Sequence, residues 1–320
     1  MNIVLLDAFA ADQGSSPWPG LQDLGSVTNH PRVGGHELAA ICAGATALIT
    51  NKVNVTGALM EQLAPTLRYV GVSATGTNIV DLQAARRLCI AVTNVPGYST
   101  PSVAQLTVAL MFSLSIDVAA HSSAAKEGAW ASCPDFCFFL RPLPEWAGKT
   151  LLIVGMGGIG TSVANIATAL GMRVLAAQVP GTQPRPDRIA LAEALPQADV
   201  VSLHCPLTPD TDKLVNKRFL NAMKVGALLI NTSRGGLVDE SALLDALDEG
   251  RLGGVGLDVL NSEPPQANHP LLNSHAPWAQ RVVVTPHLGW GTQEARARLR
   301  NEVVLNLQAF AKGEKRNRVD

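Results

Sequence analysis

No uninterrupted apolar run in these 320 residues approaches the ~20 needed to span a bilayer. There is no excess of charge either. The 25 Lys+Arg against 26 Asp+Glu leave a formal net charge of −1, so no global field draws the chain to nucleic acid or to an anionic membrane. The signature of disorder, low hydrophobicity with high net charge, is missing too, since 47% of residues are hydrophobic and 16% charged. The opening Met1-Asn2-Ile3-Val4-Leu5-Leu6-Asp7 has no basic region, and Asp7 stops its apolar run. It is expected to be a buried first strand rather than a signal peptide. The five cysteines (Cys42, Cys89, Cys133, Cys137, Cys205) are scattered and odd in number, which is not a disulfide framework. Cys133 and Cys137 stand close in sequence, yet no second cysteine or histidine pair completes a zinc site, and no metal is expected. Reduced thiols and a cytoplasmic setting are the expectation. Neither a repeat at solenoid periods of ~20–50 residues nor a low-complexity tract is present.

What the chain does have is length and alternation. At ~100–200 residues per domain it makes about two domains. Candidate strands Asn2–Leu6, Ala47–Thr50, Arg68–Val72 and Ala91–Asn94 alternate with helix formers over Glu37–Ile41, Thr56–Leu63 and Asp81–Leu88. Such alternation implies a parallel sheet covered by helices. Thr100 followed by Pro101 then has the form of an N-cap with proline at the first helical position. Val103, Leu106, Leu110 and Leu114 continue at helical spacing, predicting one connector helix to about Lys126. A loop rich in aromatics and proline follows from Trp130 to Trp146. The alternation restarts at Thr150, with strands expected at Leu151–Val154, Arg173–Ala176, Val200–Leu203, Ala227–Asn231, Val255–Asp258 and Val282–Thr285. A last helix, Thr292–Lys312, carries Leu299, Val303, Leu307 and Phe310 on one face and is expected to cross back to the first domain.

The strongest local motif is Leu151-Leu152-Ile153-Val154-Gly155-Met156-Gly157-Gly158-Ile159-Gly160. It is G-x-G-x-x-G set directly after an apolar strand and before a helical run. Gly155 allows the tight turn, Gly157 lets the backbone approach a pyrophosphate, and Gly160 lets the helix pack closely on the strand. The helix N-terminus offers the phosphates free N–H groups and a partial positive charge. A dinucleotide is implied. The fingerprint normally continues with an acidic residue on the next strand, which binds the ribose hydroxyls. Here that position is Gln178, so NAD and NADP both stay open. Arg185 and Arg188 lie further along, and reach a 2′-phosphate only if their loop folds back.

Three chemically useful residues follow other predicted strands. Arg234 lies in Asn231-Thr232-Ser233-Arg234-Gly235, Glu263 follows Gly256-Leu257-Asp258-Val259, and His287 ends Val282-Val283-Val284-Thr285-Pro286-His287. Ligands of open α/β sheets bind outside the carboxyl ends of the strands. Reducing a 2-keto acid needs a cation for the carboxylate, a proton donor for the carbonyl oxygen, and hydride from nicotinamide. Arg234 offers a planar fork that lysine cannot match. His287 titrates near neutrality and can give and take a proton each turnover. A carboxylate such as Glu263 beside it favours the imidazolium and orients the ring. Of the other histidines, His204 in His204-Cys205-Pro206 is placed to line the cofactor cleft. His30, His36, His121, His269 and His275 have no supporting context.

With Val95-Pro96-Gly97-Tyr98-Ser99-Thr100 and His204-Cys205-Pro206-Leu207-Thr208 added, these segments resemble the D-isomer-specific 2-hydroxyacid dehydrogenase family over nearly the whole chain. The resemblance implies an α/β fold of two Rossmann-like, doubly wound parallel-sheet domains. The substrate domain would be discontinuous, 1–100 plus 291–320, around a dinucleotide-binding domain at 101–290. It implies that Arg234 binds substrate and polarises the carbonyl, and that Glu263 and His287 form the acid/base pair. Backbone at Ser73-Ala74-Thr75-Gly76 would hold the substrate carboxylate. Cofactor contacts are implied for Gly155, Gly157, Gly158, Ile159, Gly160, Gln178, His204, Cys205, Pro206, Thr232, Asp258 and Gly289, with Asp258 on the nicotinamide amide. A homodimer formed through the connector helix and the following loop is also implied.

Within the family, Thr50-Asn51-Lys52-Val53, Gly71–Gly76, Ser102-Val103-Ala104-Gln105 and Ser132-Cys133-Pro134-Asp135-Phe136 are similar to glycerate dehydrogenases (hydroxypyruvate reductases). Gln178 departs from that pattern, and so does Phe139-Leu140, where the subgroup often has an aromatic followed by a polar residue. The expectation is reduction of a small 2-keto acid, hydroxypyruvate or glyoxylate favoured, by NADH or NADPH, with domain closure expelling water. The alternatives are lactate, phosphoglycerate or phosphite dehydrogenases, Lys52 being thin support for a phosphorylated substrate. A dinucleotide-sensing corepressor is the alternative of another class, disfavoured because the chain lacks long polar tails.

Overall fold

The computed structural model describes residues 1–14, 17–34 and 37–320, so His36 lies outside the described residues. The chain divides into two units, Met1–Ser99 with Gly291–Asp320, and Thr100–Trp290. In the first, strands β1 (Asn2–Leu5), β2 (Ser26–Asn29), β3 (Ala47–Thr50), β4 (Tyr69–Val72) and β5 (Ala91–Thr93) form one parallel sheet. Their spatial order is β2-β1-β3-β4-β5, a doubly wound order with its switch point between β1 and β3. The central runs are apolar throughout because both faces of a parallel sheet are covered. β2 was not expected from the sequence. Its Ser-Val-Thr-Asn lies at the sheet edge and mostly in solvent, so it carries no apolar pattern to read. The covering helices are Leu38–Ile41, Gly57–Leu63 and Leu82–Arg87. The Thr56 and Asp81 side chains cap the last two by accepting from the Leu59 and Ala84 N–H groups.

The last helix, Gln293–Ala311, belongs to this unit and starts at a Thr292 cap on the Ala295 N–H. Its Leu299, Val303 and Leu307 are buried, each contributing about 1.5–3 kcal/mol of apolar burial. Phe310 packs on Tyr69 of β4 with ring centroids 5.0 Å apart. The Asn306 amide donates to the Asn94 carbonyl at 2.9 Å.

In the second unit, β6 (Thr150–Val154), β7 (Arg173–Ala177), β8 (Val200–Leu203), β9 (Leu228–Asn231), β10 (Gly254–Leu257) and β11 (Val282–Val284) are again parallel. Their order is β7-β6-β8-β9-β10-β11. A single parallel bridge, Ala177 to Ile189, adds the rudiment of a strand outside β7. Counting from that rudiment restores the 3-2-1-4-5-6 order of a Rossmann sheet, extended by one further strand.

The continuous connector helix expected from Thr100 to Lys126 is two helices, Thr100–Ser115 and Val118–Lys126, bent by 50°. Asp117 causes the break. It sits at φ 47°, and its carboxylate accepts from the Ala120 N–H at 3.2 Å to cap the second helix. Apolar spacing cannot signal such a break, because the pattern runs on through it. No single helix among the described residues is long and apolar enough to cross a membrane.

Candidate active site

The dinucleotide loop turns at Gly155, whose φ is 108°. A side chain there would put Cβ 2.6 Å from the Cys205 nitrogen and the His204 carbonyl carbon, so the turn lies directly on the chain leaving β8. At Gly160 a Cβ would sit 2.1 Å from the Gly155 oxygen, which accounts for the close packing of helix Gly158–Ala169 on β6. Gly157 faces open space. Among the described residues no carbonyl accepts from the amides of Gly158, Ile159 or Gly160. Open space beside free N–H groups at a helix start fits a pyrophosphate.

Around this loop the other expected cofactor residues are held by the protein itself. His204 bonds Ser202 Oγ through Nε2 at 2.9 Å, and its enclosed Nδ1 has no partner among the described residues. Burial lowers its pKa to about 4, so the ring is neutral near pH 7. Burial raises the Cys205 thiol to about 11, and the Pro206 carbonyl accepts from Thr211 Oγ1 at 2.7 Å. Thr232 meets Thr107, hydroxyl to hydroxyl, at 3.0 Å.

Gln178 is committed to its own loop. Its Nε2 donates to Thr182 Oγ1 at 2.7 Å and to the Gln183 carbonyl at 3.1 Å, and its Oε1 accepts from the Arg185 N–H at 3.2 Å. The loop therefore folds back on the end of β7. Arg185 and Arg188 both pair with Asp187, at 3.1 and 2.5 Å.

The residues expected to carry chemistry stand at the carboxyl ends of β9, β10 and β11. Asn231, closing β9, shapes the Arg234 turn: its Nδ2 donates to the Arg234 carbonyl at 2.8 Å and its Oδ1 accepts from the Ser233 N–H at 3.0 Å. The exposed Arg234 guanidinium donates to the Ser233 carbonyl at 2.7 Å and forms no ion pair among the described residues. Glu263 Oε1 accepts from the Leu260 N–H at 3.0 Å, and its Oε2 meets His287 Nδ1 at 2.5 Å. With Nδ1 committed, Nε2 is the ring nitrogen left for a substrate.

His287 adopts φ 50°, and its N–H donates to the carbonyls of Asp258 and Thr285, both at 2.9 Å. The Asp258 side chain ties down the same loop. It accepts from Thr285 Oγ1 at 2.6 Å, the Leu288 N–H at 2.9 Å and the Gly289 N–H at 2.8 Å. Burial raises its pKa, against the pull of those hydrogen bonds. Arg234 and Glu263 are linked by close backbone contact, since a Cβ at Gly235 would lie 2.1 Å from the Leu260 carbonyl.

Reading the sequence missed several supports of this site. Glu240 bonds the Asn261 N–H at 3.0 Å and pairs with His269 at 3.3 Å. His269, which had no supporting context in the sequence, is thus part of the surroundings of Glu263. In the first unit, the Asp7 carboxylate at the end of β1 accepts from the N–H groups of Asn51 (2.7 Å), Lys52 (2.5 Å) and Val53 (3.1 Å). Asn51 Nδ2 in turn donates to the Ser73 carbonyl at 2.6 Å. The Ser73 and Thr75 hydroxyls point to protein acceptors, the Thr50 and Val95 carbonyls. The amides of Ala74, Thr75 and Gly76 have no acceptor among the described residues. Among those residues there is also no group of three or more His, Cys, Asp or Glu able to hold a metal.

The family described as "D-isomer specific 2-hydroxyacid dehydrogenase, NAD binding domain" matches residues 108–289. A hydroxypyruvate reductase of Blautia hydrogenotrophica is 39% identical over 320 residues, covering 98% of each chain. A glycerate dehydrogenase of Methylorubrum extorquens is 40% identical over 284 residues, 89% of this chain and 88% of its own. Among solved structures, an acyclic imino acid reductase in complex with NADPH and D-Arg superposes with TM-score 0.85 at 26% identity, covering 100% of both chains.

Proposed function

This chain belongs to the D-isomer-specific 2-hydroxyacid dehydrogenase family, and from that premise we propose that it reduces hydroxypyruvate or glyoxylate, with His287 as the proton donor. At the coarser level it is an NAD(P)-linked oxidoreductase of hydroxy acids. The observation that carries the residue assignment is the 2.5 Å contact of Glu263 Oε2 with His287 Nδ1, on the sheet edge that also bears the glycine loop. The choice of substrate rests on relatives named for hydroxypyruvate and glycerate.

A dinucleotide held on Gly155–Gly160 would supply the hydride for the carbonyl carbon. Arg234, with no acidic partner among the described residues, takes the substrate carboxylate and carbonyl through its planar fork. His287 gives the Nε2 proton to the carbonyl oxygen, a contribution of about 10²–10⁴ in rate. Glu263 holds the ring by Nδ1 and so aims Nε2 at the substrate. The ring then regains a proton from solvent through its partly exposed edge. In the oxidative direction the neutral ring accepts that proton. In the first unit, the amides of Ala74, Thr75 and Gly76, without an acceptor among the described residues, would offer an anion cradle. In the second unit, Gly155–Gly160 would hold the dinucleotide phosphates.

For the cofactor, the folded-back loop after β7 favours acceptance of NADP as well as NAD. It sets Arg185 and Arg188 beside Gln178, which carries no charge to repel a 2′-phosphate. A homodimer is supported by the apolar surface around Val118, Trp130, Phe136 and Phe139, all exposed, beside a pocket lined by Ile116, Phe138 and Leu143. Sedimentation of the chain at micromolar concentration reads that directly, and a monomer contradicts it.

The test of the function is steady-state reduction of hydroxypyruvate, glyoxylate, pyruvate and phosphohydroxypyruvate with NADH and with NADPH. The highest kcat/KM is expected for one of the first two. A preference for pyruvate or the phosphorylated acid overturns the substrate assignment.

A further inference from the structure

Glu240 takes no part in the reaction as described, yet it grips the chain on both sides of Glu263. It opens helix Glu240–Asp248, which Asp239 caps by accepting from the Ser241 and Ala242 N–H groups. That cap fixes where the Glu240 side chain starts. Its Oε1 accepts from the main-chain N–H of Asn261 at 3.0 Å, and its Oε2 takes His269 Nε2 at 3.3 Å. Asn261 precedes Glu263 in the chain and His269 follows it. One carboxylate therefore closes the segment that carries the residue facing His287.

Both tethers are specific. Asn261 is held a second time, its Nδ2 donating to the Val238 carbonyl at 3.4 Å, just before the cap. Among the described residues the enclosed Nδ1 of His269 has no partner, so within them Glu240 is the one hydrogen-bonding anchor of that ring. The His269 carbonyl in turn accepts from the Leu272 N–H of the turn Pro270–Leu272. Just before the first tether, the Leu260 N–H holds Glu263 Oε1 at 3.0 Å, leaving Oε2 for His287. Moving Asn261 moves that N–H, then the Glu263 carboxylate, then its grip on the ring.

We propose that Glu240 and His269 are positioning residues, a clamp that sets Glu263 against His287. The proposal rests on the reading of His287 as the proton donor. A slack clamp lets the Glu263 carboxylate drift from Nδ1 and so misplaces the ring for proton transfer.

The experiment is keto-acid reduction by wild type, Glu240→Ala, Glu240→Gln and His269→Ala, with kcat, KM, NADH binding and thermal midpoint measured for each. For Glu240→Ala, kcat should drop by about 10–100-fold while KM for the keto acid stays within about threefold, because Arg234 still takes the substrate. NADH affinity should stay within about twofold, because the clamp does not touch Gly155–Gly160. His269→Ala should lower kcat in the same way. Glu240→Gln keeps one acceptor oxygen and so only one tether, and it should fall between wild type and Ala. This isosteric variant carries the test if Glu240→Ala does not fold.

A kcat within about threefold of wild type in the folded Glu240 variants, or losses carried by KM or NADH affinity instead of kcat, overturns the clamp. His287→Asn, run alongside, separates that failure from failure of the larger reading. If His287→Asn keeps near-normal turnover, the donor assignment falls together with the clamp.

Discussion

Gly235→Ala perturbs the geometry of the site while removing none of its reacting side chains. The new Cβ would stand 2.1 Å from the carbonyl carbon and oxygen of Leu260 and 2.5 Å from the Asn261 nitrogen. Ordinary contact begins at 3.4 Å, so the two loops must separate by about 1.3 Å. Neither neighbour can rotate away, because both are backbone. Overpacking of this kind costs about 1–3 kcal/mol, too little to unfold a typical domain outright. Its effect on chemistry is larger. The Leu260 N–H holds Glu263 Oε1, so the displacement passes to the partner of His287, and an error of ~1 Å in a reacting geometry costs about 10²-fold. The assay is kcat for keto-acid reduction at saturating substrate, with NADH binding by fluorescence and a thermal midpoint on the same sample. A kcat lowered about a hundredfold with NADH affinity within about twofold is expected. A folded variant with kcat within about threefold of wild type refutes the argument that Gly235 sets the spacing of the Arg234 and Glu263 loops.

Three further perturbations address separate parts of the account. Arg234→Lys replaces a planar fork by a point charge, so kcat and KM for the keto acid should both worsen, and turnover within about twofold of wild type removes Arg234 as the substrate clamp. Gln178→Asp adds a negative charge facing a 2′-phosphate and removes the amide that braces Thr182 and Gln183. It should shift the kcat/KM ratio towards NADH by about 1–3 kcal/mol, and an unchanged ratio shows that position 178 does not sense the ribose end. His204 titrates near 4 when folded and near ~6.5 when unfolded, so its stability contribution is full above pH 6.5 or so and is lost as pH falls towards 4. Between pH 7 and pH 5 the loss is about 2 kcal/mol. Denaturant unfolding at both pH values should show it in wild type and not in His204→Gln, and equal losses in the two proteins would exclude His204 as the cause.

Much of the fold was legible because buried parallel strands are apolar throughout and their neighbouring helices announce their starts. Thr56, Asp81 and Thr292 each cap the helix that follows. The failures have physical reasons. β2 lies in solvent at an edge, so its residues show no pattern. Asp117 breaks the connector by a backbone conformation and a cap that leave the surrounding apolar spacing intact. In the site, Arg234, Glu263 and His287 were legible as reactive types at strand ends, and the pairing of the last two was expected from their chemistry. Their supports were not. Glu240 looks like any acidic residue in the first turn of a helix, and His269 like an isolated surface histidine. Their meaning lies in contacts with Asn261 and with each other, far apart in the chain. Gln178 was read as a ribose ligand because its position in the strand is diagnostic. Its side chain also braces the following loop, which only the loop's folded path reveals.

The central claim is that His287, held by Glu263, delivers the proton that completes reduction. His287→Asn tests it most directly, through kcat for hydroxypyruvate reduction and the NADH dissociation constant measured on one preparation. The account predicts that kcat falls by about 10²–10⁴ while NADH binds as in wild type, since the glycine loop at Gly155–Gly160 is untouched. A near-normal kcat with unchanged NADH binding would contradict it.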